Sequence, residues 1–168
     1  ERGFSYSYGH GLVEKGYLLL KQSGYLIKPV TIEEWFNLKI RGQQLVGKMD
    51  VLFRINNELV MIDYKTGKEM PDARDLRSNL QATTYAYVVN LLYKENCKLL
   101  FAYIKHDKFL ETTRKQRDFD KLESIVDEIS ELEKYYSASD AIPITPSPSA
   151  CQYCALNRSC SGPASIGY

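Results

Sequence analysis

No apolar run in the 168-residue sequence approaches the roughly 18 residues that a membrane-spanning helix needs, and the N-terminus lacks the basic, apolar and small-residue succession of a secretory signal. A cytoplasmic protein is expected. An excess of either charge is also lacking, since 22 Lys and Arg stand against 21 Asp and Glu for a net charge of +1. With no global field to draw in an anionic partner, nucleic acid has to be met by local patches. The chain opens on Glu1 and not on Met, so a preceding segment is expected. What is present is apolar: 44% hydrophobic and 12% aromatic residues exclude disorder and suffice for one sizeable core.

The patterning predicts an order of elements. "HGLVEKGYLLLKQSG" spaces Leu12, Val13, Tyr17, Leu19 and Leu20 near the helical period, with Gly24 as a stop. "TIEEWFNLKI" alternates, placing Ile32, Glu34, Phe36, Leu38 and Ile40 on one side of a strand. Two strands follow in "LVGKMDVLFRINNELVMIDYKTGK". Leu80, Tyr87, Val88, Leu91 and Leu92 mark a helix, "KLLFAYI" a strand buried on both faces, and Phe119, Leu122, Ile125, Val126, Ile129, Leu132 and Tyr136 a last helix. A helix between a meander and a later strand implies an α/β fold with a mixed central sheet flanked by helices. Pro143, Pro146 and Pro148 among Ser and Thr mark an irregular arm, so residues 1–140 are expected to form the core and 141–168 an arm packing on it.

Asn56 and Asn57 tolerate the positive φ of a tight primed turn. With those two residues as the loop, Asp50 falls opposite Asp63 and Lys48 opposite Lys65. Directly opposed like charges about 4.5–5.5 Å apart are destabilising. A carboxylate pair amid apolar strand therefore calls for a shared proton, a nearby lysine or a divalent metal. Mg²⁺ brings the right hard-oxygen chemistry and polarises a phosphate, while Lys65 orients or activates water. The competing reading is a surface cluster of ion pairs.

"GKMD", then "IDYKTG", then "QATTYAY" together resemble the PD-(D/E)xK nuclease superfamily, in particular the RecB-type exonuclease branch with its AddB nuclease domains and iron-sulfur CRISPR-associated exonucleases. The resemblance implies a restriction-endonuclease-like fold. It implies Asp50 and Asp63 as acids binding Mg²⁺ or Mn²⁺, the Tyr64 backbone carbonyl and His10 as further metal ligands, Lys65 as the catalytic lysine, and Gln81 and Tyr85 as the Gln-x-x-x-Tyr pair on the following helix. Met49 stands where the superfamily's name has proline, and Gly9 directly precedes His10 instead of lying further upstream.

Cys151, Cys154 and Cys160 cluster in coreless chain, which suggests a metal staple and not a disulfide in a reducing compartment. Their spacing resembles the cysteine trio of the iron-sulfur members, which implies a 4Fe-4S cluster whose fourth Cys lies upstream of Glu1. A Zn²⁺ site with another donor, or no metal, are the alternatives; Cys97 reads as a buried thiol.

The expected function is a metal-dependent DNA exonuclease hydrolysing phosphodiester bonds in DNA repair, recombination or a CRISPR-type pathway. DNA with a single-stranded end is the expected substrate, and a helicase or CRISPR integration protein the expected partner. Lys105, Lys108, Arg114, Lys115 and Arg117 are the candidate phosphate contacts. The alternative is a non-catalytic DNA-binding or assembly module on the same fold.

Overall fold

The computed structural model describes residues 6–137 together with Cys151 and Cys154. Alternating apolar residues build three consecutive antiparallel strands, β1 (Thr31–Ile40), β2 (Gln43–Ile55) and β3 (Glu58–Lys65). Both of their hairpins turn on pairs of positive-φ residues, Arg41 and Gly42 (52° and 85°), then Asn56 and Asn57 (49° and 66°). That geometry matches the twist of the flanking strands and suits Gly42, Asn56 and Asn57, which tolerate positive φ. Helix α1 (Tyr6–Gln22) precedes them, ending before Gly24 at φ 74°.

After β3 a 3₁₀ turn, Asp75–Ser78, leads into α2 (Leu80–Tyr93), which carries the chain back to β4 (Cys97–Tyr103). β4 pairs parallel with β3, as a helical crossover allows, and β5 (Lys108–Thr112) closes the order β1-β2-β3-β4-β5 antiparallel to β4. The expected α/β architecture is observed. β5 is an addition to it: five residues are too few for an alternation to stand out, and Asp107 at φ 50° supplies its turn.

Two apolar layers sandwich the sheet. Val51, Phe53, Val60, Ile62, Leu100 and Ala102 face α1 through Leu19. Met49, Leu52, Leu59, Met61, Leu99 and Phe101 pack with Ala82, Ala86 and Val89 of α2 and with Phe119. The buried face of α2 therefore differs from the expected one, since Leu80 and Leu92 are exposed. Two alanines let the helix lie close to the strands, and helical spacing of large residues misses a face made of small ones. The face of β1 also shifts: Phe36 and Ile40 are buried but Ile32 is 65% exposed, because Glu33 at φ 54° breaks the alternation. α3 (Gln116–Ser137) buries Phe119 and Leu122, and Arg41 grips Asp127 through Nη2 at 2.6 Å.

By compactness the chain divides into residues Glu1–Glu128 and Ile129–Tyr168, a division inside α3. The packing of the expected arm 141–168 on the core lies outside the described residues.

Gly47 has a steric reason. A Cβ there would collide with the Phe36 ring, which lies across it from the paired strand. Gly47→Ala is expected to cost about 1–3 kcal/mol through overpacking, read as a lower urea midpoint at unchanged m-value.

Candidate active site

The β2–β3 ladder runs from Ile55↔Glu58 to Val51↔Ile62, as the Asn56-Asn57 turn predicts, and stops one pair short of Asp50 and Asp63. Beyond it β2 continues on β1 alone, while β3 continues on β4, with Asp63 beside Phe101 and Lys65 beside Tyr103. The strands part where the acids stand. Met49 and Leu52, three residues apart, both enter the α2-side core, so the side-chain alternation of β2 shifts by one residue at Asp50 while its pairing with β1 keeps one register. Into the gap Tyr64 donates its N–H to Asp50 Oδ2 at 2.8 Å. In an extended strand the C=O of a residue points the same way as its N–H, so the Tyr64 carbonyl is also directed at the gap. The expected opposition of Lys48 and Lys65 does not occur, because the ladder ends before them, and Lys48 forms an ion pair with Glu33.

Asp63 is 3% exposed, and its Oδ2 lies 2.7 Å from Lys65 Nζ. The Lys65 ammonium is the close partner of this oxygen, the Tyr85 hydroxyl also lies near the carboxylate, and Oδ2 makes no hydrogen bond of regular geometry among the described residues. Burial pushes the Asp63 carboxyl above its ordinary range, Lys65 opposes the shift, and the Asp50 charge adds to it.

Lys65 is held from the other side by Gln81, whose Oε1 accepts from Nζ at 2.7 Å. Gln81 Nε2 donates to the Tyr85 hydroxyl at 3.1 Å, and that hydroxyl donates to the Lys48 carbonyl at 3.2 Å. Because an ammonium can only donate, the direction of every bond in this chain is fixed. The i, i+4 spacing sets Gln81 and Tyr85 on one face of α2, and Asn79 starts that helix by accepting from Ala82 N–H at 2.8 Å. Burial, with the Asp63 charge second, raises the Tyr85 phenol to about 12, so it remains a donor at neutral pH.

Asp50, Asp63, Lys65, Gln81, Tyr85 and the Tyr64 main chain are thus brought together. His10 is exposed on α1, and among the described residues no three His, Cys, Asp or Glu side chains are placed to hold a metal. Two carboxylates and a carbonyl still suit Mg²⁺, which binds through one or two carboxylates and retains several waters. The buried Asp63 Oδ2 is the atom such an ion satisfies.

Cys97 is buried and its thiol is pushed up to about 12 by that burial, in keeping with a core residue. Cys154 donates its N–H to the Cys151 carbonyl at 3.1 Å, and both thiols are free. Cys160 lies outside the described residues.

Among the candidate phosphate contacts, Arg114 is a correction. It is 5% exposed and donates to Thr83 Oγ1, Thr112 Oγ1 and the carbonyls of Leu76, Asn79 and Thr113. Its side chain ties the start of α2 to the end of β5 and is spent on that task. Lys105 is half-buried, whereas Lys108, Lys115 and Arg117 are exposed. Lys115 and Arg117 line a 480 Å³ groove with Arg77, Glu111 and Asp118. Arg77 was not legible beforehand, since nothing local links it to β5. Trp35, 72% exposed and with Lys48 Nζ 5.8 Å from its ring centre, was also missed, because the alternation of β1 marks only which side it takes.

The model of the PD-(D/E)XK nuclease superfamily matches residues 13–161. The chain belongs to this superfamily. Among relatives of this nuclease chain are the Gene 69 protein of Mycobacterium phage L5, 29% identical over 133 residues, and that of Mycobacterium phage D29, 26% identical over 133 residues. Each match covers 77% of this chain but 43% and 47% of the relative, so the nuclease chain spans less than half the length of these curated relatives. A solved structure, that of SSO0001, aligns over 94% of the chain and 72% of its own at 17% identity and a TM-score of 0.47.

Within the site, Tyr85→Phe removes the hydroxyl that joins Gln81 to the Lys48 carbonyl. We expect kcat to fall about five- to tenfold, the value of one hydrogen bond, with KM little changed in steady-state cleavage assays.

Proposed function

We propose that this chain is a Mg²⁺- or Mn²⁺-dependent deoxyribonuclease that works from single-stranded ends. The observation that carries the reading is the parting of β2 and β3, which leaves Asp63 Oδ2 buried beside Asp50 and next to an oriented lysine.

Asp50, Asp63 and the Tyr64 carbonyl hold the divalent ion. When bound, the ion supplies the positive charge that offsets the two carboxylates and polarises the phosphate. Lys65 spends one N–H on Gln81 and a second contact on Asp63, which leaves a third N–H for the attacking water or a phosphate oxygen. In that role it stabilises charge growing on oxygen as the new P–O bond forms and the old one breaks. Gln81 fixes where the ammonium stands, and Tyr85 fixes Gln81. Lys115 and Arg117, with Arg77, neutralise phosphates of the incoming strand along their groove.

The iron-sulfur assignment of Cys151, Cys154 and Cys160 is a separate proposal, with clamping of the C-terminal segment as its role and anaerobic visible absorption as its test. For the nuclease reading, end-labelled linear and circular single-stranded DNA are incubated with Mg²⁺ or with EDTA. Linear DNA is expected to be degraded with Mg²⁺ only, and the circle to survive. Cutting of the circle would replace the exonuclease reading by an endonuclease one, and no metal-dependent cleavage of either would refute the enzyme.

A further inference from the structure

Trp35 is the only tryptophan in the chain, and nothing in the catalytic arrangement uses it. Large aromatic rings are normally among the most buried side chains, yet this one is 72% exposed. It stands on the edge strand β1 opposite Lys48 of β2, and Lys48 is two residues from Asp50. The neighbouring Phe36 and Met49 face the α2-side core, so Trp35 points to the other side of the sheet. There the part of β2 that pairs with β1 alone leaves a bare strip: Val46 is 56% exposed, and Asn37 and Gln44 are joined by a 2.9 Å hydrogen bond. Lys39 and Lys48 add positive charge along it.

A flat ring flanked by lysines and amides, one strand over from Asp50 and on the sheet face away from α2, has the make-up of a platform on which a base stacks while its phosphates are neutralised. We propose that Trp35 stacks a nucleobase of a single-stranded substrate next to the nucleotide held at Asp50 and Asp63. The proposal rests on the nuclease reading for where the strand runs. Its ligand class is an unpaired nucleic-acid strand, bound without sequence preference because every base offers a π-face. Lys48, ion-paired with Glu33, lies with its ammonium 5.8 Å from the ring centre.

The single indole is its own reporter. In EDTA, to prevent cleavage, the fluorescence of the 168-residue chain is titrated with oligothymidylate and with an abasic deoxyribose-phosphate strand of equal length. Quenching is expected with the first and not with the second. Equal quenching by both would show phosphate binding without stacking and overturn the proposal. So would a signal that follows protein concentration and not oligonucleotide, because the ring would then be covered by a second copy of the chain. By anisotropy of a labelled oligothymidylate, Trp35→Ala is expected to weaken binding about tenfold and Trp35→Phe by no more than about twofold. Equal affinity of wild type and Trp35→Ala would overturn it. Asp63→Asn separates the two readings. If neither wild type nor variant cleaves but both are quenched, the enzyme reading fails and the platform stands; metal-dependent cleavage by a wild type that shows no quenching refutes the platform alone.

Discussion

Asp63→Asn is expected to lower DNA cleavage by at least about 10²–10³-fold while raising the melting temperature of the metal-free protein. The two effects have one cause. Asp63 is held in the fold with its carboxyl above the ordinary range, burial outweighing the Lys65 ammonium. A carboxyl whose folded-state pKa is raised stabilises the fold through its proton. That contribution is complete below the ordinary value of about 4 and is lost as pH rises through the raised one. At neutral pH the anion therefore weighs against folding, and a neutral amide of the same shape relieves it. Each kcal/mol relieved adds about 2–4 °C for a chain of this size. Mg²⁺ should raise the melting temperature of wild type by mass action and leave the variant unmoved. Thermal scans of both proteins in EDTA and in Mg²⁺ check this. A variant that melts below wild type in EDTA would mean that the Lys65 ion pair outweighs burial.

The second large effect is expected at a residue far from chemistry. Arg114→Met should cost about 3 kcal/mol or more, because it removes five hydrogen bonds at once, to Thr83 Oγ1, Thr112 Oγ1 and the carbonyls of Leu76, Asn79 and Thr113, and leaves the buried Thr112 hydroxyl without that donor. Arg114→Lys should recover only a minor part, since one ammonium cannot span acceptors arranged for a planar fork. Urea denaturation read by circular dichroism gives the order wild type, Lys, Met. Because Asn79 caps α2 two residues before Gln81, the surviving folded fraction should also lose kcat, through a lysine less well placed. If instead Arg114 were a phosphate contact, both variants would fold as wild type and bind DNA with a shallower salt dependence.

The contrast between these residues shows what the sequence carried. Two adjacent asparagines between alternating strands set the β2–β3 register as far as Val51↔Ile62, which delivers Asp50 and Asp63 to the point where the strands part. The i, i+4 spacing likewise put Gln81 and Tyr85 on one side of a helix. The parting of the strands was not legible: it depends on β2 being longer than its partner and on a side-chain carboxylate taking the Tyr64 N–H from the ladder. Arg114 was misread because "TTRKQR" looks like a solvated basic run, and only the approach of the 3₁₀ turn and the start of α2 turns one member inward. The buried face of the crossover helix was hidden by Ala82 and Ala86, which carry little hydrophobic signal. His10 matched a motif by residue type, and the fold places it exposed on α1.

The proposed active site requires that Asp50 and Asp63 together grip one divalent ion. Electron paramagnetic resonance titration with Mn²⁺, comparing wild type with Asp50→Asn and Asp63→Asn, tests it without reference to cleavage. The account predicts one ion bound per chain by wild type and its loss in either variant, with Lys65→Ala retaining it. Undiminished Mn²⁺ binding in both carboxylate variants would contradict the account.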